Sequence, residues 1–147
     1  MNNVAKSEAK LLTIIMTDRP PVRIRVDQWP VIAEGEADWV DKVENEGMDW
    51  TRKVDVSIVL RRHADGRILA YGGYRYRSRW MNESNETYEA GFLHGSANAP
   101  IANADECRDL CEIIEEVGND LIARGGNSAH VNAAVRSAIN DLPAEDI

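Results

Sequence analysis

Residues 53–80, KVDVSIVLRRHADGRILAYGGYRYRSRW, leave this chain few ways to fold. Two runs rich in β-branched and aromatic residues flank His63-Ala64-Asp65-Gly66-Arg67, and alternation on both sides of such a turn is a strong hairpin signal. If Ala64-Asp65-Gly66 is a three-residue loop with Gly66 left-handed, His63 faces Arg67. One face then collects Val54, Val56, Ile58 and Leu60 opposite Tyr76, Tyr74, Gly72 and Ala70, while the other sets Asp55 against Arg75 and Val59 against Tyr71. A two-residue Asp65-Gly66 turn would instead oppose Val56 to Arg75 and Val54 to Arg77, mixing apolar and charged positions, so the longer loop is expected. Gly72-Gly73 weakens the second strand and points to a bulge or a close backbone approach.

The flanking segments complete an α+β plan. Residues 1–10 are polar, and residues 11–16 read either as an edge strand or as part of an extension, with Met1 and Met16 both open as the native start. On the second reading, residues 1–15 are a flexible or extension segment and residues 16–147 a single domain. After Pro20-Pro21, Val22, Ile24 and Val26 alternate with Arg23, Arg25 and Asp27 as in a half-buried strand. Trp39, Val40 and Val43 lie at helical spacing within an acidic stretch, which predicts a short amphipathic helix over residues 37–45, stopped by Gly47. Thr87 to His94 reads as a third meander strand. Asn103 and Glu106 form a capping pattern, and Cys107, Leu110, Ile114, Val117 and Leu121 mark the apolar stripe of a helix ending at Gly125-Gly126. A second helix from Asn127 or Ser128 to Pro143 buries Val131, Val135, Ala138, Ile139 and Leu142. The expected fold is an antiparallel meander of three or four strands, preceded by a short acidic helix, with two C-terminal helices packed on one face.

At 147 residues the chain is the size of one domain with one core. Its net charge of -8 argues against a general nucleic-acid coat protein and against anionic membrane surfaces. Apolar runs fall far short of the roughly 20 residues of a membrane span, and no secretion signal is evident, so a cytoplasmic location is expected.

That charge is segregated. Residues 52–79 hold eight cations and two anions, and the rest of the chain holds nine and twenty-three. In the basic part, Arg75, Arg77, Arg79 and Trp80 interleave with Tyr74 and Tyr76, a composition that suits single-stranded nucleic acid. Strand alternation, however, sends the tyrosines to one face and the arginines to the other. In the acidic part, Asp38, Asp41 and Glu44 share a face of the predicted short helix. On the first C-terminal helix Asp105, Asp109, Glu112 and Glu116 form a stripe, its charges about 4.5–6 Å apart along the axis. Such spacing is of the order of phosphate spacing on a nucleic-acid strand, so these faces are candidate phosphate mimics that would dock a basic partner.

Catalytic signatures are lacking: there is no G-x-S-x-G, P-loop, H-E-x-x-H or dinucleotide fingerprint, and His63 and His94 have no evident orienting partner in the sequence. No cofactor or catalytic residue is assigned. Cys107 and Cys111, four apart on a helix, fit buried thiols in a reducing compartment better than a disulfide or a metal site.

Three segments resemble a family of small uncharacterised acidic proteins from proteobacterial plasmids, prophages and integrative elements. They are Asp18-Arg19-Pro20-Pro21-Val22-Arg23-Ile24 with Trp29-Pro30-Val31-Ile32-Ala33, the hairpin Arg62-His63-Ala64-Asp65-Gly66-Arg67, and the ending Ile139-Asn140-Asp141-Leu142-Pro143-Ala144-Glu145-Asp146. The polar residues before Met16 depart from that pattern. The resemblance brings no catalytic residues; it implies a non-enzymatic inhibitor of a host nucleic-acid-handling defence complex, of the anti-CRISPR or anti-restriction type. Direct nucleic-acid binding through the basic strand is the alternative expectation.

Overall fold

Two short strands, β1 (Leu11–Ile14) and β2 (Val22–Arg25), pair with each other in a small separate sheet. Four longer ones, β3 (Val31–Asn45), β4 (Met48–Arg62), β5 (Ile68–Ser78) and β6 (Glu86–His94), form an antiparallel meander in chain order. Helices α1 (Glu106–Arg124) and α2 (Ser128–Asn140) follow, giving an α+β fold. This structure, a computed structural model, describes residues 10–45, 48–79, 84–95 and 106–143, with the backbone alone for 43–45, 48–50 and 106–108.

The central hairpin takes the expected register. Val54, Val56, Ile58 and Leu60 pair with Tyr76, Tyr74, Gly72 and Ala70, and Asp55 pairs with Arg75. Its turn closes through His63 N–H to the Arg67 carbonyl and Gly66 N–H to the His63 carbonyl, both 2.9 Å, with Gly66 at φ 94°. Pairing runs unbroken through Gly72-Gly73, so of the two readings it is the close approach that holds. A Cβ on Gly72 would come within 2.6 Å of the Ser57 carbonyl oxygen and 2.9 Å of Val117 on α1.

Both helices lie on one face of the meander. Leu110, Ile113, Ile114, Val117 and Leu121 of α1, with Val131, Ala134, Val135 and Ala138 of α2, close a core over Val54, Val56, Ile58, Leu60, Ile68, Ala70 and Tyr74. Ile139 and Leu142 pack at its margin. A Schellman pair, Gly125 N–H to Ile122 O and Gly126 N–H to Leu121 O, ends α1 with Gly125 left-handed. Asn127 starts α2, its Oδ1 accepting from the N–H groups of Ala129 and His130. The Asn103 cap and the Cys107 side chain fall outside the described residues.

The helix expected over residues 37–45 is instead the second half of β3, which pairs with β4 from Val31↔Arg61 to Asn45↔Met48. The helical spacing of Trp39, Val40 and Val43 concealed a period-2 pattern upstream, in which Ala33, Gly35, Ala37 and Trp39 alternate with Glu34, Glu36 and Asp38. The small residues have a packing reason. A Cβ on Gly35 would sit 2.2 Å from the Ala138 nitrogen and 2.4 Å from the Ala134 oxygen, so the α2 backbone rests directly on β3. The edge of β3 is capped there as well: Glu34 N–H donates to Asp141 Oδ2 at 2.8 Å and Glu36 N–H to Ser137 Oγ at 3.3 Å.

Of the two readings of residues 11–16 it is the strand that is observed, for Leu11–Ile14 pairs with β2 and both Ile14 and Met16 are buried. They join Ile24, Trp29 and Leu69 in a second, smaller core on the other face of the sheet, walled by Leu12, Val22, Tyr71 and Leu93. Thr17 then closes the β6 edge: its N–H donates to the Gly91 carbonyl, its Oγ1 accepts from Gly91 N–H, and its hydroxyl donates to Asp120 on α1.

Candidate functional site

With its apolar stripe locked in the main core, α1 presents its carboxylates outward from a fixed frame. Glu112 and Glu116 are exposed and Asp109 half-buried, all on the side that faces the end of β6. There they line, with His94 and Ile113, a cleft of about 290 Å³. His94 Nε2 lies 2.7 Å from Glu116 Oε1, an orienting carboxylate that the sequence did not reveal because it comes from an element far along the chain. At the helix end Asp120 bonds Arg124 at 2.8 Å and receives the Thr17 hydroxyl. Asp105 lies outside the described residues.

The other expected acidic face is broken up by the strand. Alternation places Asp38 on the sheet face away from the helices and Asp41 on the opposite face, 4.0 Å from Arg52 of β4. Glu44 pairs through its backbone with Asp49, near the end of the β3–β4 hairpin. That end projects past the four-stranded region, because β5 pairs with β4 only as far as Arg52↔Ser78.

Asp38 belongs to a different grouping, a trough of about 450 Å³ on the outer face, where β1 leaves the sheet uncovered. Glu36, Asp38, Asp55, Arg75 and Glu89 form its polar floor. A side-chain hydrogen bond with Asp55, then desolvation and the charges of Asp55 and Glu36, raise the Asp38 carboxyl above its ordinary range against the weaker pull of Lys53. No single segment of the sequence shows this group, since four strands contribute to it.

Arg75, Arg77 and Arg79 are exposed, as alternation requires, and Tyr74 is buried on the opposite face. Asp55 draws on the basic row, 3.4 Å from Arg77 and 3.8 Å from Lys53. Trp80 lies outside the described residues. At the hairpin turn His63 also has a carboxylate: Asp65 Oδ1 lies 3.1 Å from Nδ1, and Asp65 Oδ2 holds Arg67 Nε at 2.8 Å. Trp29 packs on the His63 ring at 5.0 Å, and the Arg67 guanidinium lies 5.0 Å above the indole.

Compared with protein-family models, curated proteins and solved structures, the chain finds no match. Among the described residues no group of three His, Cys, Asp or Glu side chains could hold a metal ion, and no helix is long and apolar enough to cross a membrane. The Cys111 side chain is half-buried.

Proposed function

We propose that this chain is a non-enzymatic binding protein that docks a basic partner through the acidic face of α1, with Asp109, Glu112 and Glu116 standing where phosphates would stand. The supporting observation is the rigid presentation of that face: Ile113, Ile114 and Val117, interleaved with the carboxylates, are buried in the main core. A helix so anchored loses little conformational freedom on binding, which favours affinity. The partner class is a host nucleic-acid-handling complex whose groove is lined by Lys and Arg. The resemblance to acidic proteins of mobile elements favours a defence complex of the anti-CRISPR or anti-restriction type.

The test is capture of partners from a bacterial lysate by the wild-type chain and by the double reversal Glu112→Lys/Glu116→Lys, with and without nuclease. Capture by the wild type that survives nuclease, fades with added salt and drops at least tenfold in the reversed variant supports the reading. Undiminished capture by the variant refutes it. A second reading, direct nucleic-acid binding, draws on the shared exposure of Arg75, Arg77 and Arg79. Titration of a single-stranded oligonucleotide at low salt, followed by fluorescence anisotropy, decides it, and no binding at tens of micromolar protein removes it.

A further inference from the structure

The caps on the β3 edge stop part-way along the strand. Glu34 and Glu36 turn their N–H groups away from β4 to meet Asp141 and Ser137 of the α2 segment. Alternate residues of an antiparallel strand point their backbone groups the same way, so Asp38, Val40, Lys42 and Glu44 also direct theirs outward. One turn before Ser137, however, α2 offers Ala133, which has no side-chain acceptor, and the helix itself begins at Ser128. Among the described residues no backbone carbonyl outside the strand ladders accepts from the N–H of Val40 or Lys42. The strand nevertheless continues to Asn45, with Val40 52% exposed and Trp39 37% exposed beside it. An uncapped, partly apolar strand edge is a template for another strand.

We infer that the β3 edge over residues 38–44 accepts an extended, Lys- and Arg-bearing segment of a partner protein as a fifth strand of the sheet. Charge complementarity selects this occupant. Glu36 and Asp38 flank the docking line on the outer face and Asp41 on the other, with Lys42 the one cation in this stretch of β3. An incoming strand places side chains beside both faces, so cations set next to Asp38 and Asp41 and an apolar residue next to Val40 satisfy the edge. A second copy fits less well. The register that opposes Asp38 to Lys42 centres the twofold on Val40 and drives the second hairpin end into the side chains capping Glu34 and Glu36. Moving the twofold to Lys42 clears them but sets lysine against lysine.

Amide hydrogen exchange of the full chain, followed by NMR, tests the inference, with a blocked octapeptide of repeating Lys-Val-Thr as the Lys/Val probe, which as an antiparallel strand sets Lys beside Asp38 and Asp41 and Val beside Val40, and its Glu-for-Lys counterpart, the Glu/Val peptide, as control. The Val40 and Lys42 amides are expected to exchange fast in the free protein and to slow at least tenfold with the Lys/Val peptide. Asp38→Lys should weaken that peptide at least tenfold. Val40→Pro should abolish its binding, because it deletes an outward N–H and leaves the β3–β4 ladder intact. If Val40→Pro does not fold by circular dichroism, the Asp38→Lys result decides. Protection already present in the free protein together with a dimeric mass assigns the edge to a second copy and overturns the inference. Unchanged exchange with the peptide, or equal binding of the Glu/Val peptide, overturns it as well. Reversal of Glu112 and Glu116 leaves this edge untouched, so failure here and failure of the α1 reading are distinguishable.

Discussion

Gly35 is the position where one added carbon does the most harm. Its Cβ would meet the backbone of α2, which cannot step aside as a flexible side chain can. Gly35→Ala should cost about 1–3 kcal/mol, the usual range for overpacking, and lower the melting temperature by roughly 3–12 °C in a calorimetric scan. Asp38 behaves in the opposite sense. Its carboxyl is raised in the folded protein, chiefly by Asp55, so the folded state binds this proton more tightly than the unfolded chain does. Ionised Asp38 therefore costs stability at neutral pH, and the cost disappears as pH falls through the raised carboxyl range. Asp38→Asn should raise the melting temperature at pH 7, with a gain that shrinks toward pH 4; an equal or opposite effect at both pH values would contradict this. Asp65 runs the other way. Desolvation at the turn pushes its carboxyl up, but the Arg67 N–H and guanidinium, aided by His63, hold it below the ordinary range. The stability it contributes is present above the unfolded carboxylate range and is lost as pH falls through its own lowered value.

At the level of elements, α2 depends on its first residue. Asn127→Ala removes the acceptor for two N–H groups of the first turn and should cost about 1 kcal/mol, read from denaturant midpoints at constant slope. The elements also differ in how plainly the sequence announced them. The β4–β5 register was legible because a one-residue slip would exchange its apolar and charged faces. The helices were legible from apolar spacing and from Asn127 and Gly125. β3 was not, since acidic residues at steps of three imitate a helix face, while its true signal lay in small residues whose partner, α2, is a hundred residues away. For the candidate site, the α1 carboxylates could be read from periodicity, but neither the His94–Glu116 pair nor the trough could. Both arise where strands and helices distant in sequence meet.

The molecule as a whole has two cores of unequal size on opposite faces of one sheet. The larger is held by both helices; the smaller depends on Trp29, which is 7% exposed and carries both the His63 ring and the Arg67 guanidinium. Trp29→Ala should therefore release β1 and β2 before the rest. Hydrogen exchange in that variant is expected to speed in residues 11–25 while the β4 amides remain protected, and uniform loss of protection across both sheets would show one cooperative unit instead.

The cap that Asp141 and Ser137 place on β3 leaves the ribosome after every strand of the sheet. While the chain is being made, all four meander strands are available well before residues 128–141 emerge, and through that interval β3 has a bare edge and the apolar face of the sheet lacks the half of its cover that α2 supplies. Synthesis thus passes through a stage in which the whole β3 edge is open to pairing with a neighbouring nascent chain, and the arrival of α2 closes it only over Glu34 and Glu36.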